Sequence, residues 1–210
     1  MSESNPSATR LTIDRIDEES DKLALHLGRI AFAWNLLHDR LGKLFTVLAT
    51  PHNERAGWAI WHSLKSDLAQ RDMLRALIAE LLGETDPLRA QITEALNAIN
   101  GLQADRNNAL HAPYWIVSQD GESKLAPYDV NGNRLATPLS GRNLETELGS
   151  YRENILKMWS FTMLLIASAT YPPDQRPPLP PTPRLQRVAQ AMSRKAASRK
   201  SGGKEPRRQR

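Results

Sequence analysis

The 210-residue chain has no cysteine, which excludes disulfides, thiolate zinc sites and a cysteine nucleophile together. Histidine is scarce, with five residues scattered along the chain. Little material is left for a metal cage, no cofactor is expected, and any chemistry must run on histidine, carboxylates, arginine or hydroxyls. Long apolar runs are missing too. The longest nearly apolar stretch, Met158 to Ala169, falls short of the roughly 20 residues a membrane-spanning helix needs. Met1 to Asp21 is polar and holds no apolar core of signal-peptide length. These absences predict a soluble, cytoplasmic protein with no membrane partner.

What is present supports one domain with a tail. Hydrophobic residues make up 40% of the chain, enough for a real core at this length. Half of the 14 prolines fall between Pro172 and Pro183, which marks a boundary. Beyond it, residues 184–210 carry ten Lys or Arg and the single acid Glu205, a charge of +9; against +5 for the whole chain, residues 1–183 are left at −4. A mildly acidic body carries a strongly basic tail.

Helical periodicity dominates the body. Leu23, Leu27, Ile30, Trp34, Leu37, Leu41, Leu44 and Leu48 recur at spacings of four and three, which predicts a long amphipathic helix from about Glu19 to Ala49. A short helix over Glu54 to Leu64 follows the turn at Thr50 to Asn53. The next is capped by Ser66 or Asp67 and closed by Gly83, and a third begins at Asp86–Pro87 with the stripe Leu88, Ile92, Ala95, Leu96, Ile99 and Leu102. After His111, Pro113 discourages helix. The turn pairs Asp120–Gly121 and Asn131–Gly132 then predict a three-stranded β-meander over about residues 114–138. Helix returns from about Ser140 to Thr170, apolar almost all round, so it is expected to be central or to lie at a dimer interface. The predicted organisation is a flexible N-terminus at 1–18, a helical domain at 19–171, a proline-rich linker at 172–183 and a disordered basic tail at 184–210. As polyproline II the linker would be a spacer about 37 Å long. Leu185, Val188, Met192 and Ala196 would make at most a weak helix beyond it.

One residue conflicts with its stripe. Winding the third long helix at about 100° per residue with Ile99 at zero places Ile92 and Leu110 near +20°, Leu88 near −20°, and Arg106 also near −20°. A guanidinium thus occupies the middle of an apolar seam. An unpaired charge is expensive to bury, so Arg106 must meet an acid, an anion or a solvent-filled cleft. Asn107 and His111 lie four apart on one flank beside it. The plain reading is that Arg106 pairs with a buried acid and His111 satisfies the end of its helix. Arg71 and Asp72 are weaker candidates on the facing helix. His26, His38, His52 and His62 lack metal-ligand spacing and read as surface or helix-flank residues. Trp34, Trp58, Trp61, Trp115 and Trp159 read as core or interface anchors rather than as a base-stacking platform.

The string Asp105–Arg106–Asn107–Asn108–Ala109–Leu110–His111 resembles the R-x4-6-H signature of HEPN domains, in the form with asparagine directly after the arginine. The motif near the end of a long amphipathic helix, the helical surroundings and a β excursion before a final long helix agree with that family. The resemblance covers about Leu23 to Tyr171. It implies an all-α, up-and-down bundle of four or five helices that dimerises so that two motifs face each other across a cleft. Many such domains are metal-independent endoribonucleases of toxin–antitoxin, abortive-infection or antiviral systems, working beside an antitoxin or regulatory protein; others bind nucleotides or partners without cutting. Arg106 and His111 would then be catalytic and Asn107 would steady them. The tyrosine that one subgroup carries two places after the histidine is Pro113 here, so regulation by modification at that place is not carried over.

The chemistry fits RNA. A ribose 2′-hydroxyl is an internal nucleophile, so the protein must supply proton transfer and charge stabilisation. Arginine offers a permanently charged fork to two phosphate oxygens. A histidine at the negative end of a helix dipole is suited to give a proton to the leaving 5′-oxygen. Arg106 and His111 are about 140° apart around the axis. Either the helix distorts near Gly101 or Pro113, or the site is shared between subunits. The basic tail, with Arg184, Arg187, Arg194, Lys195, Arg199 and Lys200, would hold RNA through salt-dependent contacts, or would serve only as a solubilising terminus. Non-catalytic nucleotide or RNA binding by a scaffolding dimer, and an unrelated bundle with a structural arginine, are the competing readings.

Overall fold

A computed structural model describes residues 6–119, 122–129 and 132–186. Five α-helices are present among them: α1 (Pro6–Ala49), α2 (Glu54–Ser63), α3 (Asp67–Leu81), α4 (Pro87–His111) and α5 (Leu144–Ala169). A two-stranded antiparallel hairpin, β1 (Tyr114–Gln119) and β2 (Glu122–Pro127), lies between α4 and α5. The four later helices start behind side-chain caps. Asn53 accepts from the Ala56 N–H, Ser66 from Ala69, Asp86 from Leu88 and Asn143 from Thr146, each satisfying a backbone donor that the first turn leaves without a partner.

Three boundaries differ from the sequence expectation. The first helix begins at Pro6, not Glu19, so most of the segment expected to be a flexible N-terminus is helical. Proline suits a first turn, and no further proline occurs before Pro51. The meander has two strands rather than three. Residues 132–142 form successive turns instead, because Leu135, Ala136 and Leu139 are spaced for a helical turn and not for alternation. Ala136 and Leu139 are fully buried there. Gly132 and Gly141 take left-handed φ of 68° and 71°, and the second of these delays the start of α5 from Ser140 to Leu144.

The core is a seam between α1 and α5 closed by α3 and α4. Ile30, Trp34, Leu37, Leu41 and Leu44 of α1 are buried with Leu148, Ile155, Met158 and Leu165 of α5, Ile92, Leu96 and Ile99 of α4, and Leu74 and Ile78 of α3. At the α1–α2 crossing a Cβ on Gly42 would stand 2.5 Å from Trp58 Cζ3 and 2.8 Å from Trp61 Nε1. Only a glycine lets the two indoles lie there.

The proline-rich segment is not a spacer standing off the body. After a 3-10 turn at Pro173–Gln175 it runs back over α4 and α5 as a strap. Arg176 Nη1 pairs with Asp86 Oδ2 at 2.6 Å, Gln91 Nε2 donates to the Pro180 carbonyl at 3.3 Å, and Thr182 Oγ1 donates to Glu94 Oε2 at 2.8 Å. Buried Asn154 holds both backbone groups of Gln186, donating to its carbonyl at 2.8 Å and accepting from its N–H at 2.9 Å. Leu179 and Leu185 pack against the core. Composition signalled a linker, whereas Leu179 among the prolines and Leu185 just beyond them supply the apolar contacts that hold it down.

Candidate functional site

Helix α4 is unbroken through Gly101 and ends at His111, where Ala112 turns extended (φ −62°, ψ 135°) ahead of Pro113. Of the two ways to bring Arg106 and His111 together in one chain, a distortion at Gly101 is therefore absent. The residues stay about 7.5 Å apart along the axis and about 140° apart around it. His111 is exposed, while Arg106 is half-buried, and no bond joins the two.

Arg106 turns toward α1. Its guanidinium carbon stands 5.9 Å from the centre of the Trp34 ring, and its Nη1 donates to Asn107 Oδ1 at 2.9 Å. Its Nε is buried without a partner. No carboxylate of the described residues lies within ion-pair distance of it, so the acid of the plain reading is not found among them. Asp72 is exposed and does not reach Arg106.

Trp34 belongs to a larger buried polar cluster. Its Nε1 donates to Asp67 Oδ2 at 2.7 Å. Against the same ring, at 5.8 Å, lies the guanidinium of Arg71 on α3. Arg71 is 0% exposed, and burial draws its pKa down, with Asp67 and Asp72 opposing. Its donors go to neutral acceptors: Nε to Asn100 Oδ1 at 2.8 Å, Nη1 to His38 Nε2 at 3.0 Å, and Nη2 to Gln103 Oε1. Arginine can only donate, so His38 Nε2 is bare and the ring proton sits on Nδ1, facing Gln70 Oε1 at 3.3 Å. Burial pushes the His38 pKa down; Asp67 raises it, and Arg71 lowers it further. His38 is thus a buried neutral histidine and not the surface or flank residue expected.

Sequence reasoning found Arg106 and treated its neighbours too lightly. Arg71 stands three and seven residues before Leu74 and Ile78, at the centre of the α3 stripe. His38 stands four after Trp34 and seven before Phe45, within the α1 stripe. The winding test that singled out Arg106 would have singled out both.

The tryptophans divide. Trp34 and Trp61 are buried, Trp58 and Trp159 are partly buried against the core, and Trp115 lies exposed on the hairpin, so it is no core anchor. Arg184 is exposed at the rim of a polar cleft of about 900 Å³ that also takes in Asp105, Glu147 and Tyr151. Arg187, Arg194, Lys195, Arg199 and Lys200 lie outside the described residues, as does the helix considered beyond Leu185. Among the described residues no three His, Asp or Glu side chains group as a metal site, and no helix is long and apolar enough to cross a membrane.

Compared with known proteins, the chain matches no family model, no curated protein and no solved structure. The functional reading therefore rests on the side chains alone.

Proposed function

We propose that this chain is a metal-independent endoribonuclease of the HEPN type, acting as a homodimer, with Arg106 of one subunit and His111 of the other completing each site. One observation carries the reading: Arg106 is held by Asn107 and Trp34 in a partly buried setting, with no carboxylate of the described residues within ion-pair distance of it. A cation kept this way is available to a phosphate, and a low-dielectric surrounding strengthens the attraction.

In the proposed reaction the ribose 2′-oxygen attacks the adjacent phosphorus. Arg106 donates to the non-bridging oxygens as negative charge builds, and Asn107 fixes the guanidinium plane. His111 gives a proton to the departing 5′-oxygen, leaving a 2′,3′-cyclic phosphate and a 5′-hydroxyl. The 2′-hydroxyl proton passes to solvent. An antitoxin or regulatory partner, a cytoplasmic setting and an RNA-binding role for the basic tail belong to the same proposal.

The second reading, a non-catalytic nucleotide- or RNA-binding dimer, draws on the exposed position of His111 and the absence of any bond between it and Arg106. Incubating the protein with RNA in chelator separates the two. Cyclic-phosphate ends are expected from the wild type, with about a hundredfold loss or more in Arg106→Ala and in His111→Ala. Cleavage that persists in both variants removes the proposed site, and RNA binding without cleavage selects the second reading.

A further inference from the structure

The hairpin that follows α4 has an inner and an outer face. Tyr114, Ile116, Leu125 and Pro127 are half-buried, whereas Trp115, Val117, Lys124 and Tyr128 alternate with them and are exposed. An outward face is ordinarily polar. This one carries two aromatic rings, Trp115 at 58% and Tyr128 at 39% exposure, stacked on each other with centroids 5.2 Å apart and planes within 24°. Lys124 stands opposite Val117 on this face.

The pair is fixed to the end of α4. The Tyr128 N–H donates to the Pro113 carbonyl at 2.7 Å, and the Tyr114 hydroxyl donates to the Ala109 carbonyl at 2.7 Å. Burial raises the Tyr114 pKa to about 12, so that hydroxyl remains a donor at any physiological pH. Trp115 is four residues beyond His111, no more than about 14 Å of extended chain, the reach of about two nucleotides.

We propose that Trp115 and Tyr128 form a nucleobase platform on which an unpaired base of single-stranded RNA stacks as a third layer, next to the strand entering the Arg106–His111 site. Flat exposed rings only a few residues beyond His111 suit a base joined to a phosphate. Bases inside a duplex are already stacked on their neighbours and present only their edges, so the platform selects single strands. The inference rests on the RNA reading above and deepens it by naming the substrate as unpaired RNA.

The test uses the full chain and a labelled 2′-fluoro uridine 12-mer, which supplies bases and phosphates but has no nucleophile, with a 12-base-pair RNA duplex as comparison. Anisotropy is expected to show Trp115→Ala weakening single-strand binding about tenfold or more and Trp115→Phe by less than about threefold. Duplex affinity and the salt dependence of binding should be unchanged, because stacking releases no counterions. Equal single-strand affinity in Trp115→Ala and wild type overturns the proposal, as does a wild type that does not bind the 12-mer. So does a lower sedimentation coefficient of Trp115→Ala without RNA, which would assign the face to a second copy of the chain. The nuclease reading is scored separately on cleavable RNA: platform-dependent binding without cyclic-phosphate products keeps the platform and removes the nuclease. Arg106-dependent cleavage with intact binding in Trp115→Ala does the reverse.

Discussion

His38 lies between Arg71 and Gln70 with Nε2 bare, and that makes the fold sensitive to mild acid. Its folded pKa is depressed below the ordinary 6.5. As pH falls past that value the unfolded chain takes up a proton that the folded site resists, so stability is flat above about 6.5 and declines below it. The melting temperature is expected to drop between pH 7 and pH 5, and His38→Asn, with no ring to titrate, to lose that part of the decline. Differential scanning calorimetry across the range checks this; an unchanged slope in the variant would place the titration elsewhere. The same residue shows what the sequence disclosed. A polar side chain in an apolar stripe is visible by winding alone, at Arg106, Arg71 and His38 alike. Its partners are not, because Asn100 and Gln103 reach Arg71 only once α3 and α4 are laid side by side.

At the scale of elements, the crossing of α1 and α2 has little tolerance. Gly42→Ala would drive a methyl into Trp58 and Trp61, and overpacking of this kind costs about 1–3 kcal/mol, to be read as a lowered denaturant midpoint at constant slope. The join between α4 and the strap depends on Asp86. Burial raises its pKa, but the bonds from Arg176 and the Leu88 N–H outweigh burial and hold it below the ordinary 3.8. That contribution is complete above the ordinary value and lost as pH falls through the folded one. Asp86→Asn should therefore melt below wild type at pH 7 and approach it in strong acid; a constant gap across the titration would argue against the pairing. The starts of α2, α3 and α4 were legible because Asn, Ser and Asp caps are local signals. The third strand was misread because a turn pair with Gly132 fixes the reversal of the chain but not the conformation of the residues after it. The strap was misread because proline content describes stiffness and not contact.

For the whole molecule, the unbroken α4 decides how a site can be assembled. With Arg106 directed toward Trp34 and His111 exposed on another side, the proposed site would draw on two subunits. Mixing inactive Arg106→Ala and inactive His111→Ala chains should then restore a fraction of the activity, since each mixed dimer retains one site with both residues intact. Failure of mixed dimers, verified by mass, to cleave would place both residues in one subunit. The helical architecture was open to sequence reading from its periodicity; the face on which a second copy would meet it was not, because nothing along one chain records such a contact.

The strap also bears on where the protein can be shortened. A cut at Pro172, where composition changes, would strip Leu179 and Leu185 from their seats and leave Asn154 with nothing to grip. A minimal folded unit should therefore extend through Gln186, and an affinity handle belongs after that residue.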